Sequence, residues 1–465
     1  MKPVDRAWLR MDEPANLMVI NSLMFFAQPV DRPRLEAMLG ARLAQVHRFR
    51  QRAVRRSATQ WEWEDVPGFS VGDHIREHTL PPGSGEEALR AYASAEMMRD
   101  LPRDRPLWLV HVVHGYQGGS ALLWRLHHCI GDGIALMVLM LAITDLDPDA
   151  DLRQGLCAWG SDNPLADLFG EARLSPQEAM RHLEQLMPEG ARLLARPGEQ
   201  LAASNRWLRR AAWGPTFLKL SARWPDRRAL KGKLGGTKRV AWSRAVPLAE
   251  VRLAKEAVGG TVSDVLIATV AGGLRRYLER RGTRLHGLAV RAVVPVSLRP
   301  LAEMSDLGNR FGLVFLSLPV GVEEPRARLA ELQRRMRALK GSMEAVVVMD
   351  VLSLLGRVPK WIQDLVIRIF GTKGTAVLSS VPGPSRPLYV AGQPISGFVF
   401  WVPQSGRLGI GISLMTYDGQ VRLGVASDAN VVPDPEAIVA AFEEELHFLE
   451  ELKGAGVTAA VPVEA

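Results

Sequence analysis

The chain has little cysteine and no long apolar segment. Its 465 residues include two cysteines, Cys129 and Cys157, which are too few for a disulfide framework and fit ordinary thiols in a reducing compartment. The longest apolar run, residues 134 to 143, is well short of the roughly 18 residues of a membrane-spanning helix. The N-terminal sequence MKPVDRAWLRMDEP has no apolar core. We therefore predict no secretory signal and expect any membrane contact to be peripheral.

The composition is that of a folded protein with an excess of positive charge. Hydrophobic residues make up 47% of the chain and charged residues 23%, which argues against global disorder. The length exceeds what one hydrophobic core usually supports, so two domains are expected. The 58 Lys and Arg residues outnumber the 50 Asp and Glu residues, giving a formal net charge of +8. This charge suits a phosphate-bearing ligand, an anionic lipid surface or nucleic acid, and does not choose among them.

Strand and helix patterns alternate in two parts of the chain. Before residue 150, LMVINSLMFFA and ALLWRLHH predict strands and EEALRAYASAEMMRDL predicts a helix. The alternation resumes after residue 236, with TVSDVLIATVAGGLRRYLERRG as a helix and LAVRAVVPVSLRP as a strand. Alternation of this kind predicts an α/β fold with sheets flanked by helices. We predict an N-terminal domain at 1–170, a helical linker at 171–235 and a C-terminal domain at 236–465.

A segment of the predicted linker, residues 206 to 233, is both basic and aromatic. It contains nine basic residues, a single acid (Asp226), and four large aromatic residues: Trp207, Trp213, Phe217 and Trp224. Aromatic rings among lysines and arginines are typical of a helix on a phospholipid surface. The alternative is a linker whose rings pack on a domain and whose basic face is only solvated. No recognised nucleic-acid-binding motif accompanies the segment, so nucleic acid is not an expected partner.

Ionisable chemistry is concentrated in WRLHHCIGDGIALMV, residues 124 to 138. If ALLWRLHH is a strand, His127 and His128 point to opposite faces, so at most one of them enters a given cavity. A histidine at a strand end beside glycines is well placed to act as a general base. Asp132 would cap the following helix or pair with an arginine. Gly131 and Gly133 would allow sharp backbone geometry and close approach of a substrate.

Two other interpretations of the histidine pair were weighed against the base. A metal site needs further ligands at a zinc-like spacing, and none follows the two diverging histidines. No metal is therefore predicted. The remaining alternative is a pair of hydrogen-bonded core histidines with no role in chemistry.

The pattern HHxxxDG resembles the signature of the CoA-dependent acyltransferase superfamily, which includes chloramphenicol acetyltransferase and peptide-synthetase condensation domains. In that superfamily the second histidine is the base, which favours His128 and leaves His127 a supporting role. Nearly the whole chain, from VDRAWLRMDEP to VPDPEAIVAAF, resembles the bacterial and plant wax ester synthase/diacylglycerol acyltransferases. The motifs RFRQR, PLW, HHCIGDG, TVSDVLIATVAGGLRRYL, VPVSLR, LGNRFG, SSVPGP and MTYDGQVRLGVASD occur in the expected order.

The resemblance implies two chloramphenicol-acetyltransferase-like domains with the active site in a tunnel at their interface. It implies an acyl-CoA substrate, with a fatty alcohol or diacylglycerol as acceptor, and no metal or other cofactor. The expected location is the cytoplasm, peripherally at a membrane or lipid-droplet surface; the oligomeric state is left open. The alternatives are acylation of another hydroxyl or amine, or a non-catalytic lipid-binding protein of the same fold.

The resemblance also implies roles for further residues and reveals two departures. Where the family usually has Asn-Asp this chain has Ser263-Asp264, and Ser380 replaces an asparagine before Val-Pro-Gly-Pro. Serine offers a hydroxyl in place of an amide, so acceptor choice or rate is expected to differ if those asparagines order the site. The residues given possible supporting roles are Ser263, Asp264 and Asn309 for the oxyanion or acceptor, Arg299 as a partner of Asp132, Pro106, Leu107 and Trp108 for packing, and Ser380, Pro382, Gly383 and Pro384 for a rigid turn near the tunnel.

Overall fold

The computed structural model describes residues 1–152, 229–258, 260–288, 290–298, 308–340 and 342–454. Two mixed β-sheets flanked by helices dominate these ranges. Arg299, Cys157 and residues 206 to 228 of the basic and aromatic segment lie outside the described residues. The predictions made for them therefore stay predictions, as does the division into 1–170, 171–235 and 236–465.

The first sheet has five strands in the order β14, β1, β6, β5, β4. Strands β4 and β5 run parallel, and the other neighbours are antiparallel. Their bounds are β1 Val19–Phe26, β4 Ile75–Thr79, β5 Trp108–Tyr116, β6 Gly119–His127 and β14 Gly397–Trp401. Four of these strands come from the N-terminal part, and β14 is contributed by the C-terminal part. The first sheet is thus completed by a strand from more than 250 residues further along the chain.

Side chains alternate along β6, as a pleated strand requires. Leu122, Trp124 and Leu126 are buried in one hydrophobic core, whereas Ala121 and Leu123 are buried in another on the opposite face of the sheet. Both faces of this strand are covered, so its sequence is apolar almost throughout instead of alternating with polar residues.

The second sheet has seven strands. Its main path runs β10, β9, β11, β15, β16, β7, and the short β8 pairs with β16. The bounds are β7 Lys238–Trp242, β8 Val246–Pro247, β9 Val290–Ser297, β10 Phe311–Leu318, β11 Ala376–Pro382, β15 Ile410–Tyr417 and β16 Gln420–Asp428. Two small two-stranded sheets pair β2 (Gln51–Arg55) with β3 (Trp61–Asp65) and β12 (Tyr389–Val390) with β13 (Gln393–Pro394).

Helices α3 Gly85–Met97 and α6 Val262–Arg280 were predicted from the sequence, and α4 Gly133–Ala142 is the helix expected after Asp132. The described ranges also contain α2 Arg32–Arg42, α5 Leu248–Val258, α7 Pro325–Lys340 and α10 Pro435–Gly454. Short 3₁₀ turns cover Leu43–Gln45, His47–Arg50 and Val71–His74. No helix in the described ranges is both long enough and apolar enough to cross a membrane.

Three helices that sequence analysis did not predict pack together. They are α1 (Pro3–Arg10), α8 (Glu344–Leu355) and α9 (Lys360–Gly371). Gln363 of α9 donates to the Ala7 carbonyl at 2.8 Å, and Arg10 donates to the Val358 carbonyl at 3.0 Å. The N-terminal helix is therefore held by the C-terminal part of the chain.

Candidate active site

His128 directly follows β6 and continues its alternation. Its backbone N–H donates to the Met18 carbonyl at 2.7 Å, which extends the pairing of β6 with β1 by one residue. The side chain lies on the same face as Leu126 and is 9% exposed. His127, the last residue of β6, takes the opposite face. The predicted divergence of the two histidines is thus what the structure shows.

Asn309 holds the imidazole of His128 in one orientation and one tautomer. Its side-chain nitrogen donates to Asp5 Oδ1 at 2.9 Å and to the His128 carbonyl at 2.8 Å. Because both donations fix which end of the amide is oxygen, Asn309 Oδ1 must accept from His128 Nδ1–H, 2.9 Å away. The proton therefore resides on Nδ1, and Nε2 carries the basic lone pair. Within the part of the chain that the structure describes, Nε2 has no hydrogen-bond partner.

Aromatic rings enclose the imidazole on its faces. The Trp8 ring stacks on His128 with centroids 4.3 Å apart and planes 12° apart. Phe311 lies with its centroid 5.3 Å from the same imidazole. Burial lowers the pKa of His128 to about 4, although the Asp132 carboxylate and the Asn309 amide act in the opposite direction. The imidazole is therefore neutral, and available as a base, at neutral pH.

Hydrogen bonds to two carboxylates hold the segment 308–310 against the residues that follow His128. Asp5 Oδ1 accepts from the backbone N–H of Asn309, and Asp132 Oδ2 accepts from the backbone N–H of Arg310, both at 2.9 Å. Gly308 has a φ of 110°, and an added Cβ would lie 3.3 Å from Asp5. A side chain at that position would therefore strain the backbone and crowd the carboxylate. Burial raises the pKa of Asp5, while its hydrogen bonds from Asn309 lower it.

Asp132 also begins helix α4. Its backbone carbonyl accepts from Leu136 N–H at 2.9 Å, which places Asp132 at the N-cap position. Gly133 follows without a left-handed φ, so the sharp backbone geometry expected of it is not present there. A Cβ added at Gly133 would have nothing within 4 Å. Among the described residues, nothing fills the space beside Gly133, and the approach of a substrate there stays a prediction.

His127 is engaged by protein groups at both ring nitrogens. Its Nδ1 accepts from the Cys129 N–H at 3.1 Å, so Nε2 carries the proton and donates to Asp12 Oδ2 at 3.0 Å. Burial would raise the pKa of Asp12, but its hydrogen bond from His127 and the charge of Arg103 hold it below the usual range. Both ring nitrogens of His127 are therefore used in contacts with the protein.

The PLW motif positions the end of β6. The Leu107 carbonyl accepts from His127 N–H at 3.0 Å, and Trp108 N–H donates to the Pro106 carbonyl at 2.9 Å. Trp108 is fully buried, and its Nε1–H donates to the Phe49 carbonyl at 3.0 Å. These contacts are those of packing residues, and they hold the histidine pair at its place in the sheet.

The residues at the start of α6 form a helix cap. Thr261 is the N-cap and accepts from Asp264 N–H at 3.1 Å, while Asp264 accepts from Thr261 N–H at 2.9 Å. This reciprocal pair is a capping box, so the Asp264 carboxylate is occupied with helix structure. Ser263 lies in the first turn and is partly exposed, and its oxyanion role stays a prediction.

The Ser380–Pro384 motif ends β11 and begins a tight connection. Ser380 pairs with Leu414 and Pro382 with Thr416 in the parallel β11–β15 ladder. The Thr416 hydroxyl accepts from Gly383 N–H at 3.1 Å, and a Cβ at Gly383 would overlap the Thr416 backbone. The Pro384 carbonyl accepts from the backbone N–H of Asp418 at 2.9 Å. The glycine is needed for close packing, in keeping with the predicted rigid turn.

The structure thus brings together residues that are remote in sequence, and several of them were missed by sequence reasoning. Asn309 was singled out, but as a group for the oxyanion or acceptor; both of its amide hydrogens are already donated to protein groups, and it faces Nδ1. Asp5, Trp8 and Asp12 were not singled out, although VDRAWLRMDEP was quoted as a family motif. The described residues contain no group of three or more His, Cys, Asp or Glu side chains that could hold a metal ion.

The arrangement is that of a neutral, oriented imidazole whose Nε2, unpartnered among the described residues, can take a proton from a hydroxyl. Asn309 accepts the Nδ1–H on the far side and stabilises the positive charge that would then form on the ring.

Two protein-family models match most of the chain. Residues 1–266 match the model of the wax ester synthase/diacylglycerol acyltransferase catalytic domain, and residues 307–450 match that of the WS/DGAT C-terminal domain. The Mycobacterium tuberculosis protein named "Probable diacylglycerol O-acyltransferase tgs1" is 27% identical over 421 residues, which cover 89% of this chain and 87% of that protein. A second relative, the M. bovis protein Mb3154c, also named as a diacylglycerol O-acyltransferase, has the same identity and coverage.

Solved structures match over almost the full length. The wax ester synthase/diacylglycerol acyltransferase from Marinobacter aquaeolei VT8 superposes with a TM-score of 0.67 at 23% identity, covering 98% of this chain and 100% of that one. The first condensation domain of the CDA synthetase gives a TM-score of 0.57 at 16% identity, covering 97% and 94%. These matches confirm the predicted two-domain α/β fold. The chain belongs to the wax ester synthase/diacylglycerol acyltransferase family and is an acyltransferase.

Proposed function

We propose that the chain transfers a long-chain acyl group from acyl-CoA to the hydroxyl of a fatty alcohol or diacylglycerol, with Nε2 of His128 as the general base. The observation that carries this proposal is the Asn309 clamp on Nδ1, at 2.9 Å, which directs the lone pair of Nε2 away from every described hydrogen-bonding group. Nε2 takes the proton of the acceptor hydroxyl as that oxygen attacks the thioester carbonyl carbon. Collapse of the tetrahedral intermediate breaks the carbon–sulfur bond, and the imidazolium returns the proton to the departing CoA thiolate.

The clamp acts most strongly when His128 is charged. A hydrogen bond to a charged group contributes about 1.5–3 kcal/mol, against about 1 kcal/mol for a neutral one. The Nδ1–H to Asn309 bond therefore stabilises the transition state more than the ground state, which is the condition for faster chemistry. Positioned proton transfer of this kind is worth roughly 10²- to 10⁴-fold in rate.

The oxyanion of the tetrahedral intermediate needs a donor. We propose Ser263 or a nearby backbone amide for that role. The thioester is already activated, so we propose that no metal or other cofactor takes part. We also propose that the chain works in the cytoplasm, peripherally at a membrane or lipid-droplet surface. Its net charge of +8 and the lipid nature of the proposed acceptors support that location.

The test measures release of free CoA thiol from palmitoyl-CoA with hexadecanol, diacylglycerol or no acceptor. The wild type is compared with His128→Ala and with His114→Ala, a matched control on β5 whose side chain is hydrogen-bonded to Glu77. Acceptor-dependent release that survives in His114→Ala and disappears in His128→Ala is expected. Equal lipid binding by wild type and His128→Ala, with no turnover in either, would favour the lipid-binding alternative.

A further inference from the structure

Helix α9, Lys360–Gly371, packs Val366, Ile367 and Phe370 against the core and also carries large apolar residues on its exposed side. Gln363 is fully buried, and its amide donates to the Ala7 carbonyl at 2.8 Å. Trp361 on the outer side is 68% exposed, and Leu365 and Ile369 are 51% and 47% exposed. A helix at the surface of a globular protein normally places its apolar residues inward and its polar residues outward. The outer side of α9 departs from this pattern because it exposes three large apolar side chains.

The exposed apolar residues form one continuous row. Trp361, Leu365 and Ile369 are spaced four residues apart, so they line one side of the helix. Leu354, at the end of α8, is 52% exposed. The three exposed residues of α9, named here the α9 stripe, and Leu354 make up four of the seven large hydrophobic side chains that are exposed in the described part of the chain. Scattered exposed leucines are ordinary, whereas a cluster of this kind marks an interaction surface.

Positive charge surrounds the α9 stripe. Residues 357 to 373, RVPKWIQDLVIRIFGTK, contain four basic residues and one acid. That acid, Asp364, is paired with Lys360 at 2.7 Å. Arg357 and Arg368 are both exposed. Apolar side chains led by a tryptophan and bordered by arginines are the composition that binds the interface of an anionic bilayer.

The α9 stripe lies one helix away from the base. Gln363 and Val358 hold α1 through hydrogen bonds to Ala7 and from Arg10. The next residue after Ala7 is Trp8, whose ring stacks on His128 at 4.3 Å. A lipid surface against the outer side of α9 would therefore be separated from the catalytic imidazole by α9 and α1.

We propose that the α9 stripe inserts into the surface of an anionic phospholipid bilayer and docks the enzyme where its lipid acceptor is dissolved. This inference rests on the proposed function and specifies the surface through which it operates. The occupant is a bilayer and not a second copy of the chain for two reasons. The stripe has three residues, whereas each partner of a stable protein interface contributes roughly 20–30. If two identical faces packed together, the arginines of one copy would also face a surface with more basic than acidic residues.

The test compares binding to vesicles of phosphatidylcholine alone or mixed with phosphatidylglycerol, measured by flotation with the full chain. The stripe variant carries Trp361→Gln, Leu365→Gln and Ile369→Gln. The matched control carries Met98→Gln, Leu146→Gln and Leu253→Gln, three apolar residues that are 41–45% exposed elsewhere. Affinity for mixed vesicles is expected to fall about 100-fold in the stripe variant, because three partly inserted apolar side chains are lost, and to stay within about threefold in the control.

A charge variant and two activity assays complete the test. Arg357→Gln with Arg368→Gln should weaken binding to mixed vesicles about fivefold for each arginine removed, with little change for phosphatidylcholine alone. The stripe variant should keep wild-type CoA release with hexan-1-ol, a dissolved acceptor, and lose most of its activity with diacylglycerol in mixed vesicles.

Each possible outcome has one meaning. Unchanged vesicle affinity in the stripe variant overturns the docking proposal, and so does a wild-type dimer that the same substitutions dissociate, since the α9 stripe would then join two chains. If the wild type releases no CoA with any acceptor, the proposed function fails, while the vesicle result still decides the docking surface separately.

Discussion

Replacing Asn309 by alanine tests whether the clamp on His128 makes the imidazole a competent base. The substitution removes the acceptor of Nδ1–H and both donations of the amide, to Asp5 and to the His128 carbonyl. The backbone N–H of residue 309 still reaches Asp5 at 2.9 Å, so the segment keeps one of its anchors. The imidazole then loses the group that selects its tautomer and stabilises its charged form.

The expected loss follows from the hydrogen bond to the charged ring. Such a bond is worth about 1.5–3 kcal/mol, and each 1.36 kcal/mol is a factor of ten in rate, so kcat should fall about 10- to 150-fold. KM should change little, because every polar atom of the Asn309 side chain contacts protein groups. A group that bound substrate equally in ground and transition states would raise KM instead.

The assay is acceptor-dependent CoA release at saturating palmitoyl-CoA, with the melting temperature of each variant recorded. Asn21→Ala is the control, because Asn21 is also a buried asparagine and donates to the Val19 carbonyl at 3.0 Å. Both variants should lose comparable stability, about 1–3 kcal/mol for the unsatisfied partners, but only Asn309→Ala should lose kcat. Wild-type kcat in Asn309→Ala, or an equal loss in Asn21→Ala, would refute the assigned role of the clamp.

Three further predictions concern pH and packing. The pKa of His128 is lowered from 6.5 to about 4, so the acid limb of kcat/KM should lie well below pH 6.5, and a limb near 6.5 would contradict the burial argument. As the pH falls, the His128 imidazole takes up its proton in the unfolded chain before it does so in the folded one. The free energy of unfolding should therefore decrease as pH falls from 6.5 towards 4. Asp5→Asn removes the carboxylate that orients Asn309, and kcat should fall about tenfold with KM unchanged; an unchanged kcat would show that the amide holds its orientation without Asp5. Gly312→Ala would place a Cβ in the backbone of α8, the helix packed on β10, and should lower the free energy of unfolding by at least about 1–3 kcal/mol. Gly40→Ala, which has no described atom within 4 Å of the added Cβ, should be tolerated. Equal melting temperatures for the two variants would refute the packing argument.

Local sequence patterns were sufficient to predict the strand and the helix on either side of the histidine pair. A strand followed by a helix is encoded in consecutive residues, and the two-residue period of a strand separates His127 from His128 whatever the rest of the fold does. The same reasoning correctly predicted β6, α4 and the α/β class, because apolar periodicity is read along one segment.

The groups around His128 could not be found in this way. Asp5 and Asn309 are 304 positions apart, and no periodicity links an aspartate in a short N-terminal helix to an asparagine before β10. Helix α1 has only eight residues, and its buried residues include Asp5 and Arg10 as well as Trp8, so the sequence does not show what these charged side chains contact. The function of Asn309 as a clamp on Nδ1 follows from which neighbours take its amide hydrogens.

Helix α9 also shows that the sequence alone does not identify the contacts of a helix. Its twelve residues are apolar on several faces, so periodicity does not say which face is buried, and the buried Gln363 becomes intelligible only when the Ala7 carbonyl is beside it. Likewise, β14 looks like any apolar strand, and its place beside β1 depends on long-range pairing. Sequence patterns specify segments and the chemistry of single residues, because those depend on near neighbours. The assembly of a base, its clamp and an exposed apolar face depends on contacts across the fold, and these arise only when the two halves pack together.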